Sequence, residues 1–335
     1  MSKEPFATHD DIRLASFSER EQAQSIFELL TFISYHNIMI PIKHILNCII
    51  LAIVTAIICI YSFSASGSAI SKVIPTDAKN AYACTYQEQT HNFLVYLPEN
   101  YDTDLHPLVI MLHGYGNTAQ SFAMQTHFEK DACKEGYVVT YVSSTPDSRG
   151  YIGWNSGLDN SDKDDVGFIT NLASYLQTEY NCDPRHTFVV GFSNGAFMAQ
   201  RLAVDAPESF RGVVSVAGMM PEATWLTRKE ATEIGVLEIY GTKDEVIPKR
   251  LDDSYKTAKA PAIEDVMSYW ALANNLQNKS ELELSPRAIC TQYTNSEKTN
   301  HVWTVVVNEG RHSWYDEAYA GFNINKLILE FFDAF

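Results

Sequence analysis

The chain has 335 residues, 46% hydrophobic and 20% charged, with 41 acidic and 25 basic side chains and a formal charge of −16. That composition excludes disordered and collagen-like chains. The acidic balance excludes nucleic acid as a partner, because phosphate neutralisation needs clustered Lys and Arg.

The N-terminal part reads as an address. From Ile45 to Ser71 there is no Asp, Glu, Lys or Arg. The run Ile45–Phe63 would rise roughly 28 Å as a helix, close to the hydrocarbon thickness of a bilayer. Lys43 and His44 precede it, and Ser64, Ala65, Ser66, Gly67, Ser68 and Ala69 follow it. A basic flank, an apolar run and then small residues make a signal peptide the preferred reading. A chain started at Met39 has an ordinary short basic n-region, Met39-Ile40-Pro41-Ile42-Lys43. The expected division is therefore an extension over 1–38, a signal peptide over 39–69 and a catalytic domain over 70–335. The alternative is a signal anchor, in which case the 45–63 segment makes a membrane the partner of the chain. Both readings put residues 70–335 outside the cytoplasm, secreted, periplasmic or anchored. There Cys84, Cys133, Cys182 and Cys290 are an even number, and two disulfides are expected, with four buried thiols as the alternative.

Strands and helices then alternate. Tyr82–Gln87 and Asn92–Leu97 read as a hairpin. Leu108–Leu112 is a continuous apolar run, as a buried parallel strand should be. A helix over Ser121–Lys134 and a strand over Tyr137–Val142 follow. The stretch Thr145–Lys163 is long, irregular and rich in Gly and Asp, a candidate binding loop. Val166–Tyr180 places Phe168, Ile169, Leu172, Tyr175 and Leu176 on one helical face. Thr187–Val190 is a strand, Ala196–Val204 a helix, Gly212–Val216 and Val236–Tyr240 strands. Glu264–Asn274 is a helix, Val302–Val307 a strand and Asn323–Phe332 a helix. The fold class is α/β, a mostly parallel doubly wound sheet in a single catalytic domain.

The strongest local signal is Gly191-Phe192-Ser193-Asn194-Gly195 between a strand and a helix. This is the pattern of a nucleophile elbow, the mark of the α/β-hydrolase fold. A serine hydroxyl needs a base. In that fold the base follows the last strand and the acid lies between Ser and His. His312 stands just past Val302–Val307, and Asp244 just past Val236–Tyr240, with Glu245 as a near rival. His301 and His186 lie at strand beginnings, the wrong edge of the sheet. The expected oxyanion donors are the N–H of Asn194 and that of Tyr115, in His113-Gly114-Tyr115-Gly116 after the Leu108–Leu112 strand. His113 is expected to brace that loop. Tyr151 and Trp154 in the long loop, with Trp314 beside the base, are candidate substrate-binding rings. No Cys-x-x-Cys, His-Glu-x-x-His or P-loop motif occurs, and no metal or cofactor is expected.

The chain resembles the polyhydroxybutyrate depolymerase and feruloyl esterase group of secreted α/β-hydrolases, from about Tyr82 to Phe335. The likeness rests on Pro107–Gly116, Trp154-Asn155, Asp164-Asp165-Val166-Gly167-Phe168, Asp183-Pro184-Arg185, Gly191–Gly195, Gly241–Pro248 and Gly310–Trp314. One departure is Glu309-Gly310-Arg311 before His312, where relatives tend to be Gly-rich. The resemblance implies carboxylic ester hydrolysis by Ser193, Asp244 and His312 through an acyl-enzyme. With no appended polymer-binding module in view, feruloyl or acetyl esters on plant cell-wall polysaccharide are the expected substrates, small or glycan-borne. Polyhydroxybutyrate is the alternative. A serine peptidase and a non-catalytic binding protein on the same scaffold are the rivals from other classes.

Overall fold

The computed structural model describes residues 69–102, 104–158, 161–247, 261–297 and 299–335, together with residue 24. The apolar run 45–63, and the 1–38 extension apart from residue 24, lie outside the described residues. Among those described, no helix is long and apolar enough to cross a membrane.

The strands are β1 (Ser71–Pro75), β2 (Ala81–Tyr86), β3 (Gln89–Tyr96), β4 (His106–Leu112), β5 (Val138–Val142), β6 (Cys182–Phe192), β7 (Gly212–Val216), β8 (Gly235–Gly241), β9 (Asn278–Ser285), β10 (Ala288–Thr294) and β11 (His301–Val307). They form one sheet in the order β1-β2-β3-β5-β4-β6-β7-β8-β11-β10-β9. The run from β5 through β4, β6, β7 and β8 to β11 is parallel. Antiparallel pairs close both flanks. The helices are α1 (Ala119–Thr126), α2 (Glu129–Ala132), α3 (Asp165–Glu179), α4 (Asn194–Asp205), α5 (Glu222–Thr227), α6 (Ile263–Ala273), α7 (Glu317–Ala320) and α8 (Ile324–Phe332).

The central strands are covered on both faces. Leu108 through Leu112 are fully buried, as are Val213, Val214, Val236 and Leu237. One face packs on α3, α4 and α6 through Phe168, Leu172, Met198, Leu202 and Trp270. The other packs on α1 and α8 through Phe122, Ile328, Phe331 and Phe332. In α8 the buried Ile324, Leu327, Ile328 and Phe331 recur at three and four residues, which turns one apolar stripe to the sheet. Glu238 lies in the centre of β8, 1% exposed. It accepts from Gln200 Nε2 at 3.0 Å, and Gln200 Oε1 accepts from Trp270 Nε1 at 2.8 Å, so the pair ties α4 and α6 to the sheet. Burial raises the Glu238 carboxyl well above the usual range.

Three expectations change. The helix expected over Ser121–Lys134 is broken at His127, whose φ is 46°. Tyr141 Oη, from β5, accepts the Phe128 N–H at 3.1 Å, and that tertiary bond ends α1 where the periodicity would carry it on. Strands β9 and β10 fall in a region where no strand was expected; β9 is a charged outer strand, almost wholly exposed, whose Glu281-Leu282-Glu283-Leu284 alternation runs on only two leucines. Cys84, Cys133, Cys182 and Cys290 are all free thiols, so of the two readings the thiols hold and the disulfides do not. Burial pushes each of the four up to about 12.

Candidate active site

Parallel strands aim their carboxyl ends the same way, so the loops after β4, β5, β6, β8 and β11 gather on one edge of the sheet. Each expected site residue lies in one of them.

Ser193 follows β6 and precedes α4, with φ 54° and ψ −118°. A non-glycine residue at positive φ is strained, and the surroundings must hold it there. The backbone does so: Ser193 N–H donates to Val216 O at 2.9 Å, and its carbonyl accepts from Ala196 and Phe197. The turn is too tight for side chains at its feet. A Cβ on Gly191 would sit 2.0 Å from Gly195 O, and one on Gly195 would sit 2.1 Å from Leu112 O.

His312 lies in the loop after β11. Its Nε2 is 3.0 Å from Ser193 Oγ, and its Nδ1 is 2.8 Å from Asp244 Oδ2. A carboxylate accepts only, so the imidazole donates Nδ1–H to Asp244 and leaves Nε2 to accept from the Ser193 hydroxyl. The Asp244 side chain is 3% exposed, and its Oδ1 accepts the N–H groups of Val246 and Ile247 at 2.9 and 2.8 Å. Asp244, not its neighbour Glu245, makes the contact. The His312 loop is set by its main chain: Lys243 N–H donates to Gly310 O at 2.8 Å and Thr242 N–H to Val307 O at 3.1 Å. Tyr315 Oη also donates to Arg311 O at 2.7 Å. The Phe192 ring lies 5.1 Å from the imidazole.

The loop after β4 approaches the nucleophile closely. A Cβ on Gly114 would lie 3.3 Å from Ser193 Cβ. Asn194 opens α4, where the first N–H groups have no intrahelical acceptor. Neither the Tyr115 nor the Asn194 N–H has a backbone acceptor among the described residues. His113 braces this loop. Its Nδ1–H donates to Gly114 O at 2.7 Å and its Nε2 accepts from Ser144 N–H at 3.1 Å. Burial pushes this imidazole down to about 4, so it stays neutral.

The expected aromatic residues separate. Tyr151 is 60% exposed, with its ring 5.9 Å from that of Tyr115, itself 40% exposed. Trp154 is fully buried, and its indole N–H donates to His113 O at 2.9 Å. Trp314 is 9% exposed, packs edge-on to Phe122 and donates to Asn325. Trp154 is a core residue without a face for a substrate ring, which corrects its expected stacking role, while Trp314 is mostly packed into the core.

Other contributions lie beyond what the motifs mark. Asn194 joins the elbow to the loop after β5: its Oδ1 accepts from Trp154 N–H at 2.7 Å, and its Nδ2 donates to Ser156 Oγ at 2.9 Å. Tyr115 Oη donates to Asp147 Oδ2 at 2.6 Å, and Arg149 binds both. The Tyr115 hydroxyl, the N–H groups of Tyr151 and Arg149 and the Arg149 guanidinium hold the Asp147 carboxyl well below the usual range. Asp147 sits between a Pro and a Ser in a polar stretch, and nothing in the pattern singles it out. Among the described residues no cluster of three or more His, Cys, Asp or Glu is placed to hold a metal ion.

A family model described as Phospholipase/Carboxylesterase matches residues 99–269. The chain is 34% identical over 164 residues to "Putative esterase NocK" of Nocardia uniformis subsp. tsuyamanensis, covering 47% of this chain and 45% of that protein. It is 23% identical over 165 residues to acetylxylan esterase A of Emericella nidulans, covering 48% and 54%. It is 25% identical over 126 residues to feruloyl esterase B of Thermothelomyces thermophilus, covering 37% and 43%. The chain spans about half the length of the curated relatives it matches. Among solved structures, an acetyl xylan esterase from Aspergillus awamori superposes with a TM-score of 0.54 at 14% identity, over 73% of this chain and 94% of that one, a likeness of fold.

Proposed function

The chain belongs to the phospholipase/carboxylesterase family of α/β-hydrolases, and from that premise we propose that it is a serine esterase in which Ser193, His312 and Asp244 are the catalytic triad. The observation that carries this is the continuous hydrogen-bonded line Ser193 Oγ–His312–Asp244 at the strained elbow.

His312 Nε2 takes the hydroxyl proton as Ser193 Oγ attacks the ester carbonyl. Asp244 holds the imidazole in the tautomer that can accept, and balances the imidazolium. The oxyanion is bound by the N–H groups of Tyr115 and Asn194. Collapse of the tetrahedral intermediate expels the alcohol, which receives the proton from His312, and leaves an acyl-serine. Water then repeats the cycle in reverse, returning Ser193 and releasing the acid.

The substrate class is read as esters of polysaccharide, feruloyl or acetyl. The names of the relatives support it, and so does the exposed Tyr115–Tyr151 pair, since an aromatic face stacks on a phenolic ring or a sugar. The domain acts outside the cytoplasm, as the basic flank, apolar run and small residues over 39–69 indicate; N-terminal sequencing of the natively expressed protein would find a start near residue 68 or 70.

The test is a panel of methyl ferulate, acetylated xylan, p-nitrophenyl butyrate, an aminoacyl anilide and a hydroxybutyrate film, run with wild type and Ser193→Ala. Wild type should release ferulate or acetate and be labelled by a fluorophosphonate. Ser193→Ala should lose the label and about 10⁶ in kcat. Clearing of the film alone would move the substrate to polyesters, and cleavage of the anilide alone would move it to peptides. A Ser193→Ala protein as active as wild type ends the proposal.

A further inference from the structure

The loop after β5 contains a buried ammonium that the proposed chemistry does not use. The Lys163 side chain is 8% exposed. Its Nζ donates to Thr145 O at 2.6 Å and to Gly153 O at 2.7 Å. Those carbonyls stand at the two feet of a short hairpin. Within it Pro146 bridges to Ile152, and Asp147 N–H donates to Tyr151 O at 2.7 Å. Asp165 lies 3.5 Å from the ammonium, with its own side chain 2% exposed. It also accepts Asn155 N–H at 2.6 Å, and Asn155 Nδ2 donates back to the Lys163 carbonyl. An ammonium taken out of water needs oxygens for its protons, and here three oxygens surround it.

The hairpin carries residues that contact Tyr115 of the loop after β4. Tyr151 and Arg149 are at its tip. The Tyr115 ring lies over one foot, where a Cβ on Gly153 would be 2.5 Å from it. The next residue, Trp154, bonds Asn194. The ring pair's spacing is held by the Tyr115 Oη–Asp147 bond and by Gly116 N–H donating to Ile152 O, and joining the two feet keeps the hairpin in the shape those bonds need.

We propose that Lys163 is a positioning residue that clasps the feet of the 146–152 hairpin and thereby sets the preference for aromatic over small ester groups. The preference rests on the esterase reading above; the clasp does not, and it has its own readout. Arg149 is the only tryptic site between Lys134 and Lys163, so cutting at Arg149–Gly150 reports opening of the hairpin.

In Lys163→Met, cutting at that bond should speed up by about 10-fold, as it does when a local opening becomes more populated. The ratio of kcat/KM for methyl ferulate over p-nitrophenyl acetate should fall by about 10-fold, carried by KM, and Lys163→Arg should recover most of both. If Lys163→Met does not fold, Asp165→Asn carries the test, with cutting accelerated by about 3-fold. A folded variant cut at the wild-type rate overturns the clasp. Faster cutting with an unchanged ester ratio overturns the claim about preference. If wild type hydrolyses neither ester, the esterase reading fails and the proteolysis still decides the clasp.

Discussion

The 308–316 loop, which carries His312, is tied to the β8 loop by main-chain bonds, with the Tyr315 and Tyr319 hydroxyls adding to them, whereas the 145–163 loop, which reaches Asn194, has a short backbone hairpin but takes most of its ties to the rest of the site from side chains. In the first, backbone N–H groups of Thr242 and Lys243 donate to backbone carbonyls of Val307 and Gly310. In the second, Asn194, Lys163 and Asp147 supply the bonds. Backbone bonds do not depend on which side chain a residue carries, so away from its tightly packed glycines Gly241 and Gly310 the first loop tolerates substitution better. The second depends on a few side chains, and its shape is open to revision by single changes. The proposed base thus sits on the part held more by main chain, and the exposed rings sit on the part that depends on a few side chains.

Four outcomes would break or sharpen that contrast. The largest is expected at the main-chain side, where Asp244→Asn should lower kcat by about 10⁴ by favouring the wrong imidazole tautomer. Stopped-flow or steady-state kinetics on p-nitrophenyl acetate measures it, and a loss under tenfold would mean that the Asp244 contact does not govern the base. On the side-chain-held loop, Trp154→Ala should destabilise the fold by about 4 kcal/mol, the usual range for deleting a buried indole. Urea denaturation reads it; a change below about 1 kcal/mol would mean the ring is not packed as described.

Stability should next fall with acid. Burial pushes His91 and His113 down to about 4 from an ordinary 6.5, with the Lys163 charge adding to both. The unfolded chain then binds more protons between those values. The stabilisation is complete above about pH 6.5, declines as pH falls and is gone below about 4, up to about 3 kcal/mol for each group. Melting curves across that window should show the decline, and His113→Asn should flatten it. The smallest effect is expected at the tip: Tyr151→Ala should raise KM for methyl ferulate by about 5-fold with kcat almost unchanged. An equal loss on p-nitrophenyl acetate would assign Tyr151 to the hairpin's shape and not to the ring it meets.

What the sequence disclosed follows the same division. The parallel strands are continuous apolar runs, because both faces are covered, and such runs are readable one by one. The contacts of Ser193, His312 and Asp244 were expected from their places after three of those strands. The rings were harder. Trp154 stands in a Gly- and Asp-rich stretch read as a binding loop, and its contacts with His113 and Asn194 and its packing in the core take it out of reach. Lys163 lies in Asp162-Lys163-Asp164-Asp165, a charge run indistinguishable from a wet surface until the chain doubles back on it. The end of α1 at Thr126 is decided by a tyrosine hydroxyl on β5, which no local window contains. The four thiols were expected to pair from compartment alone, and parity carries no information about distance.

The order of the strands also sets a timetable. β8 ends at Gly241, yet its next parallel neighbour is β11, which begins at His301 after the β9–β10 hairpin. Synthesis runs from the amino end, and the segments made first can collapse first. A nascent chain halted before His301 thus holds Ser193 and Asp244 of the proposed triad but not His312, and an open seam along β8. Its hydrolytic power would arrive late, with the arrival of residues 301–312, and no separate inhibitory segment is needed to keep the growing chain silent.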